Sequence, residues 1–231
     1  WGAAGTVSHL VECGCIPRTA VIAIDHAGPG RPYDYLPVPP GDWDGMRRDM
    51  ADAPGGGVGA YLDRVLSELL PWAERRFGLS REAQNKVFGG SSFGGVATLY
   101  MAMLHPTAFR GVLIESPSFW ACQGRLLRDV AAQGRAQWPE RIYLAMGGRE
   151  YSGTRPDSGD VGARCDEFLA RACGECAEQL ARQGVSDERL DFHVEPNGAH
   201  NERDWCRRLP RALRWLLAAP GASEASFWTR P

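Results

Sequence analysis

Short apolar runs alternate along this chain with stretches of helical periodicity. Five runs are predicted to be buried strands: residues 20–24, 86–88, 111–115, 141–146 and 190–195. Most are apolar throughout rather than in alternation, which is typical of strands covered on both faces. Strands that alternate with helices predict an α/β domain with a mainly parallel sheet.

The stretches between these runs carry apolar residues at the spacing of amphipathic helices. The stripes span residues 61–77, 96–104, 168–181 and 209–217. Two segments rich in proline and glycine, residues 28–41 and 54–59, are predicted to be long surface loops near a site.

Composition narrows the class of protein. The chain has 231 residues, 44% of them apolar, and a net charge of −2, so we expect a globular domain that does not bind nucleic acid. No apolar run is long enough for a transmembrane helix, so no membrane partner is expected. The absence of a signal-peptide pattern indicates a cytoplasmic location.

The cysteines do not suggest a disulfide framework, because their number is odd, at seven. Cys173 and Cys176 form a Cys-x-x-Cys pattern in a helix-like segment with no second such pair. A metal or redox role is therefore less favoured than buried thiols in a reducing compartment, and no metal is expected.

One short segment carries candidate chemistry. Gly90-Ser91-Ser92-Phe93-Gly94 fits Gly-x-Ser-x-Gly in one frame, with Ser92 at the centre. A strand-like run precedes it and a helix-like run follows, which is the context of a nucleophile elbow. The sharp turn is expected to leave no room for a Cβ at Gly90 or Gly94. Ser92 is thus the candidate nucleophile and the Phe93 N–H a candidate oxyanion donor; the alternative is a tight turn with an N-capping serine.

A serine nucleophile needs a base, and the chain has five histidines. Parallel strands bring their carboxyl ends to one edge of the sheet, and both His26 and His200 follow a predicted strand. His200 also gives the order serine, acid, histidine that accompanies this elbow, so it is favoured over His26.

The third group must be a carboxylate that orients the imidazole. Glu150 follows the fourth predicted strand and is favoured. Asp157 and Asp160, further along the same loop, remain alternatives, and Glu115 ends the strand after the elbow helix.

Several other segments join the elbow in a more specific pattern. They are FRGVLIESPSFW at 109–120, GGRE at 147–150, GAHNERDW at 198–205 and GRPYDYLP at 30–37. Together they resemble the esterase D-like branch of the α/β-hydrolases, and most closely its enterochelin (ferric siderophore) esterase-like members. The resemblance extends over nearly the whole chain and implies the α/β-hydrolase fold with a triad of Ser92, Glu150 and His200.

The same resemblance suggests substrate contacts. Arg31 is a candidate because a guanidinium near the site suits an anionic or oxygen-rich ligand, although a salt bridge to Asp34 is the favoured alternative. Phe119 and Trp120 are candidates for the wall of an acyl or aryl pocket, and packing in the core is an equal alternative.

Members of this branch usually carry two or three further strands before the position of Trp1. The last of those strands ends in an Asp-Gly loop whose N–H completes the oxyanion hole, and residues 1–231 supply no plain second donor. The resemblance therefore implies one α/β-hydrolase domain at residues 1–219, N-terminally incomplete in this chain, followed by a tail at 220–231.

The expected function is hydrolysis of a carboxylic ester through an acyl-enzyme, with no cofactor. The partner is a small-molecule ester, of the siderophore type or another acyl ester. An acyltransferase of the same fold and a catalytically impaired binding module are the alternatives.

Overall fold

A parallel sheet forms the centre of the computed structural model, which describes residues 1–43, 47–134 and 137–217. Its strands lie in the order β1-β2-β3-β4, and every neighbouring pair is parallel. Their bounds are Val87–Ser91, Gly111–Glu115, Arg141–Gly147 and Leu190–Glu195. The α/β prediction is confirmed, and the predicted tail at 220–231 lies outside the described residues.

Helices connect the strands and cover the sheet. In the described parts of the chain the α-helices are α1 (Ala3–Glu12), α2 (Arg31–Tyr35), α3 (Val58–Arg64), α4 (Leu70–Phe77), α5 (Phe93–Leu104), α6 (Arg125–Ala132), α7 (Gly159–Arg182) and α8 (Glu202–Leu217). Among these residues, no helix combines the length and the apolar character that crossing a membrane would require.

Both faces of the two central strands, β2 and β3, are buried. Along β3, Ile142, Leu144 and Met146 join the main core, to which α5, α6 and α7 also contribute. The alternate residues Tyr143 and Ala145 pack in a second cluster with α8. Burial on both faces explains why β2 and β3 are almost continuously apolar rather than alternating.

The predicted strand at residues 20–24 is wrong. This segment has no regular structure, and its side chains Val21, Ile22 and Ile24 are 52%, 38% and 36% exposed. A strand is stabilised by pairing, and in the described residues β1 pairs with β2 alone. The strand propensity of a β-branched run is therefore not realised here, because the run has no paired neighbour.

The apolar stripe predicted for residues 61–77 is interrupted. A π-helical turn at Val65–Leu69 joins α3 to α4 and changes which residues face the core. Beyond this turn, Trp72 and Phe77 are exposed and contact each other edge to face, with ring centroids 5.7 Å apart.

The Cys-x-x-Cys pair lies in α7, with both Cys173 and Cys176 buried in the main core. Burial raises the pKa of Cys176 to about 12 and that of Cys173 well above its usual value. The structure therefore presents these two thiols as core side chains, and no other metal-ligating residues group with them in the described ranges.

Candidate active site

Polar side chains from four segments lie at the carboxyl edge of the sheet. Ser92 follows β1, Ser116 follows β2, Glu150 follows β3 and His200 follows β4. Parallel strands direct their carboxyl ends to the same edge, so residues distant in sequence come together there.

Ser92 occupies a strained turn between β1 and α5. Its φ and ψ are 59° and −124°, a region that side-chain-bearing residues rarely adopt. Three backbone hydrogen bonds hold it: the Ser92 N–H donates to the carbonyl of Glu115 at 3.1 Å, and the Ser92 carbonyl accepts from the N–H groups of Val96 at 3.2 Å and Ser118 at 3.3 Å. This geometry is that of a nucleophile elbow.

The glycines around Ser92 differ in how much space a side chain would have. A Cβ at Gly90 would lie 2.7 Å from both the carbonyl carbon and the oxygen of Gly94. A Cβ at Gly94 would meet nothing within 4 Å, so the expectation that Gly94 must lack a side chain is wrong. The second close approach is at Gly95, whose Cβ would lie 2.9 Å from the Glu115 carbonyl oxygen.

Phe93 is the first residue of α5, at the positive end of the helix dipole. Among the described residues its N–H has no hydrogen-bond partner. It is therefore a free donor next to Ser92, although its role as oxyanion donor stays a prediction.

Glu150 and His200 form a close pair. Nδ1 of His200 lies 2.5 Å from Oε2 of Glu150, and the two side chains are 30% and 1% exposed. A carboxylate accepts hydrogen bonds, so in the neutral form of the imidazole Nδ1 carries the proton and Nε2 the lone pair. The Glu150 Oε1 accepts from the Gly147 N–H at 2.6 Å. This is the arrangement that orients a general base.

The hydroxyl of Ser92 lies 3.3 Å from that of Ser118, which is buried. In the described residues no hydrogen bond joins Ser92 to His200. Sequence reasoning missed the contact with Ser118. The available signal was the Ser-x-Ser pattern after β2, because β2 is the neighbour of β1.

The alternative site residues lie away from this arrangement. Asp157 and Asp160 are exposed and have no hydrogen bond to His200 within the described parts of the chain. His26 is also exposed, and its Nδ1 accepts from the Gly28 N–H at 3.0 Å. The structure thus brings Glu150 and His200 together and leaves these three apart.

The expected salt bridge between Arg31 and Asp34 is absent from the described residues. The Arg31 guanidinium instead lies over two aromatic rings, 5.0 Å from the Phe93 centroid and 5.7 Å from that of Tyr35. Burial lowers the pKa of Arg31. Packing against aromatic rings takes the place of the predicted ion pair, and the residues that the structure describes give this guanidinium no salt bridge.

The two predicted pocket residues differ. Phe119 is 2% exposed and lies in the main core. Trp120 is partly exposed, with its ring 5.7 Å from Phe93 and stacked 6.3 Å from Trp43. The guanidinium of Arg47 lies 4.7 Å from the Trp120 ring centroid.

Behind the site lies a buried ion pair that the sequence did not predict. Arg208 of α8 donates to Glu115 Oε1 through Nη2 at 2.7 Å and Nε at 3.1 Å, and to Glu195 through Nη1 at 2.7 Å. Burial raises the pKa of Glu115 to about 7, against the lowering effect of Arg208. The pair ties α8 to the ends of β2 and β4.

The fold belongs to the α/β-hydrolase class. A strained serine lies between a strand and a helix, at the same edge of the sheet where a carboxylate contacts an imidazole. The chain belongs to the esterase family described as "Putative esterase", whose model matches residues 1–216. The resemblance to esterases of the enterochelin type is thereby confirmed at the level of the family.

Known relatives extend this finding. An uncharacterized protein, YbbA of Bacillus subtilis (strain 168), is 20% identical over 202 residues, covering 87% of this chain and 74% of its own length. The iron(III) enterobactin esterase of Dickeya dadantii (strain 3937) is 28% identical over 182 residues, 72% of this chain. The present chain spans 37% of the length of that esterase.

Solved structures share the fold. An IroE-like serine hydrolase from Shewanella oneidensis has a TM-score of 0.67 and 21% identity, covering 92% of this chain and 66% of its own. The enterobactin esterase FES from Shigella flexneri, crystallised with 2,3-di-hydroxy-N-benzoyl-glycine, has a TM-score of 0.64 and 22% identity, covering 91% and 47%. At these identities the likeness concerns the fold.

Proposed function

We propose that this protein hydrolyses carboxylic esters through an acyl-enzyme formed on Ser92. The observation that carries the proposal is the 2.5 Å hydrogen bond between His200 Nδ1 and a buried Glu150, which leaves Nε2 available as a base. The strained turn at Ser92 supports it, because backbone strain of this kind is maintained where a function needs it.

In the first half-reaction the Ser92 Oγ bonds to the ester carbonyl carbon while its proton passes to His200 Nε2. Glu150 stabilises the imidazolium, and the Phe93 N–H donates to the oxyanion. The bond to the leaving alcohol then breaks, and the imidazolium protonates the departing oxygen. Water repeats the sequence on the acyl-enzyme, so that a carboxylic acid is released and Ser92 is restored.

The surroundings of Ser92 favour an aromatic, oxygen-rich ester. The partly exposed Trp120 ring packs against the buried Phe93, and Arg31 and Arg47 place guanidinium groups against those rings. Planar guanidinium groups donate in pairs to carboxylate or phenolate oxygens and stack on aromatic rings. The related enterobactin esterases act on a siderophore, and we propose a siderophore-type ester as the substrate class here.

A fluorophosphonate probe tests the nucleophile. We expect labelling of the wild-type protein, complete loss of labelling in Ser92→Ala, and retention of it in Ser91→Ala, the matched control one position away. An unlabelled wild-type protein, or a labelled Ser92→Ala variant, would refute the serine hydrolase mechanism.

A substrate panel tests the ester class. We expect 2,3-dihydroxybenzoyl esters to be cleaved with a higher kcat/KM than acetyl or unsubstituted benzoyl esters of the same alcohol. Removal of the Arg31 guanidinium by Arg31→Met should reduce that preference by about tenfold, the value of a typical charge-assisted contact. Equal kcat/KM values across the panel would contradict the proposed substrate class.

A further inference from the structure

A second serine is built into the site, at the end of β2. We propose that Ser116 is a positioning residue for Glu150, and that its hydroxyl sets the orientation in which this carboxylate holds His200. The inference rests on the proposed triad and adds a residue to it.

Which hydrogen bonds the Ser116 hydroxyl donates and which it accepts follows from the chemistry of its partners. Trp205 Nε1 lies 3.0 Å and Arg208 Nη2 lies 3.2 Å from the Ser116 Oγ. Both groups can only donate, so they occupy the two lone pairs of the hydroxyl. The single proton of Ser116 is left for a carboxylate.

Two carboxylates compete for that proton, and Glu150 is the nearer. The Ser116 Oγ lies 2.7 Å from Glu150 Oε1 and 3.1 Å from Glu115 Oε1. Glu115 already receives two bonds from Arg208. The hydroxyl therefore donates to Glu150.

This bond determines which way Glu150 faces. Its Oε1 accepts from two fixed donors, the Ser116 hydroxyl at 2.7 Å and the Gly147 N–H at 2.6 Å. With Oε1 held, Oε2 is directed at His200 Nδ1. A carboxylate anchored on one oxygen cannot rotate away from the imidazole without breaking both bonds.

Trp205 closes the arrangement into a ring of contacts. Its indole N–H donates to Ser116, while its ring meets that of His200 edge to face at a centroid distance of 5.0 Å. Ser116 thus contacts Glu150 and Trp205 contacts His200, and a hydrogen bond joins Ser116 to Trp205.

The backbone conformation of Ser116 supports a role for its side chain in holding Glu150. Its φ is 43°, in the left-handed region that glycine occupies without strain. The N–H donates to the Ala145 carbonyl of β3 at 2.8 Å, which holds the residue after β2 against the neighbouring parallel strand. A serine at this position accepts backbone strain that glycine would avoid, and its three or more side-chain bonds offset that strain.

The test is a double-mutant cycle between Ser116→Gly and Glu150→Gln. Glycine suits the observed φ, so the backbone of Ser116→Gly is expected to fold, and Ser116→Ala provides a second variant that keeps the Cβ. We expect Ser116→Gly to lower kcat for a nitrophenyl ester by about 10- to 100-fold with KM unchanged, because a misplaced catalytic group costs rate rather than binding. In the Glu150→Gln background the same change should cost less than about twofold.

A spectroscopic readout separates this role from a purely structural one. The Nδ1 proton of His200 should resonate far downfield in the wild-type protein and move upfield in both Ser116→Gly and Glu150→Gln. Equal losses of kcat in the two backgrounds, or an unmoved resonance in Ser116→Gly and Ser116→Ala, would overturn the proposal. If the resonance moves but wild-type protein is not labelled by a fluorophosphonate, the hydrolase function fails while the positioning role stands.

Discussion

Replacing Gly90 and Gly94 by alanine, one at a time, should change stability in opposite directions. Both glycines belong to the Gly-x-Ser-x-Gly segment, and sequence reasoning treats them alike. At Gly90 the added Cβ would lie 2.7 Å from backbone atoms of Gly94, whereas ordinary contacts begin at 3.4 Å. Because the atoms that collide are backbone, β1 and the start of α5 must separate to make room.

The expected losses of stability and activity in Gly90→Ala follow from that separation of β1 and α5. Overpacking of a close backbone contact costs about 1–3 kcal/mol in the free energy of unfolding. Displacement of Ser92 by several tenths of an ångström should lower kcat/KM by about 10- to 100-fold. At Gly94 the Cβ meets nothing within 4 Å and the residue lies inside α5, so alanine should stabilise by about 0.5–1 kcal/mol.

Urea unfolding of the two variants and the wild-type protein gives the free energies, and hydrolysis of a nitrophenyl ester gives kcat/KM. A Gly94→Ala variant as unstable as Gly90→Ala would show that the contact geometry does not explain the glycines. A Gly90→Ala variant with wild-type stability would refute the reasoning equally.

Three further predictions concern buried charges and thiols. Arg208→Met should lower the free energy of unfolding in urea by about 3–5 kcal/mol, because it leaves a buried carboxylate without its cation. The control is Arg207→Met at the adjacent position, where the arginine side chain is 48% exposed and the loss should be under about 1 kcal/mol. Similar losses in the two variants would contradict this prediction. Burial raises the pKa of Glu115 to about 7 from 4.5, so the stability due to this group is full below pH 4.5 and is lost as the pH rises through 7. Glu115→Gln should therefore flatten the decline in unfolding free energy over that range, and an unchanged slope would refute the assignment. Iodoacetamide should alkylate the partly exposed Cys206 in the folded protein and spare the buried Cys176, whose pKa is about 12; equal rates by mass spectrometry would contradict the burial.

Strands were predictable where burial on both faces leaves a continuous apolar run, as in β2 and β3. The prediction for β1 ended early, at residue 88, because Gly89 and Gly90 resemble a turn. In the structure both glycines continue the strand, in register with Leu113 and Ile114. The run at 20–24 failed for the opposite reason, since its propensity is high but no neighbouring strand pairs with it in the described residues.

The candidate site was predictable where a local pattern or a strand end marks a residue. The elbow marks Ser92, and the positions after β3 and β4 mark Glu150 and His200. Ser116 also stands at a strand end, but its role depends on contacts with residues distant in sequence, and Arg208, inside α8, carries no such mark. The Arg31–Asp34 ion pair failed because spacing along the chain cannot show that aromatic rings surround the guanidinium.

The link between Arg208 and Glu115 joins residues 93 positions apart, and it has a consequence for the order of events during synthesis. A chain leaves the ribosome from its N-terminus, so the turn at Ser92 is exposed well before His200 and α8 are made. A nascent chain that ends before His200 has the proposed nucleophile but not the proposed base, and one that ends before Arg208 leaves Glu115 without this cation. We therefore expect the proposed ester cleavage only after α8 has been translated and has docked on the sheet.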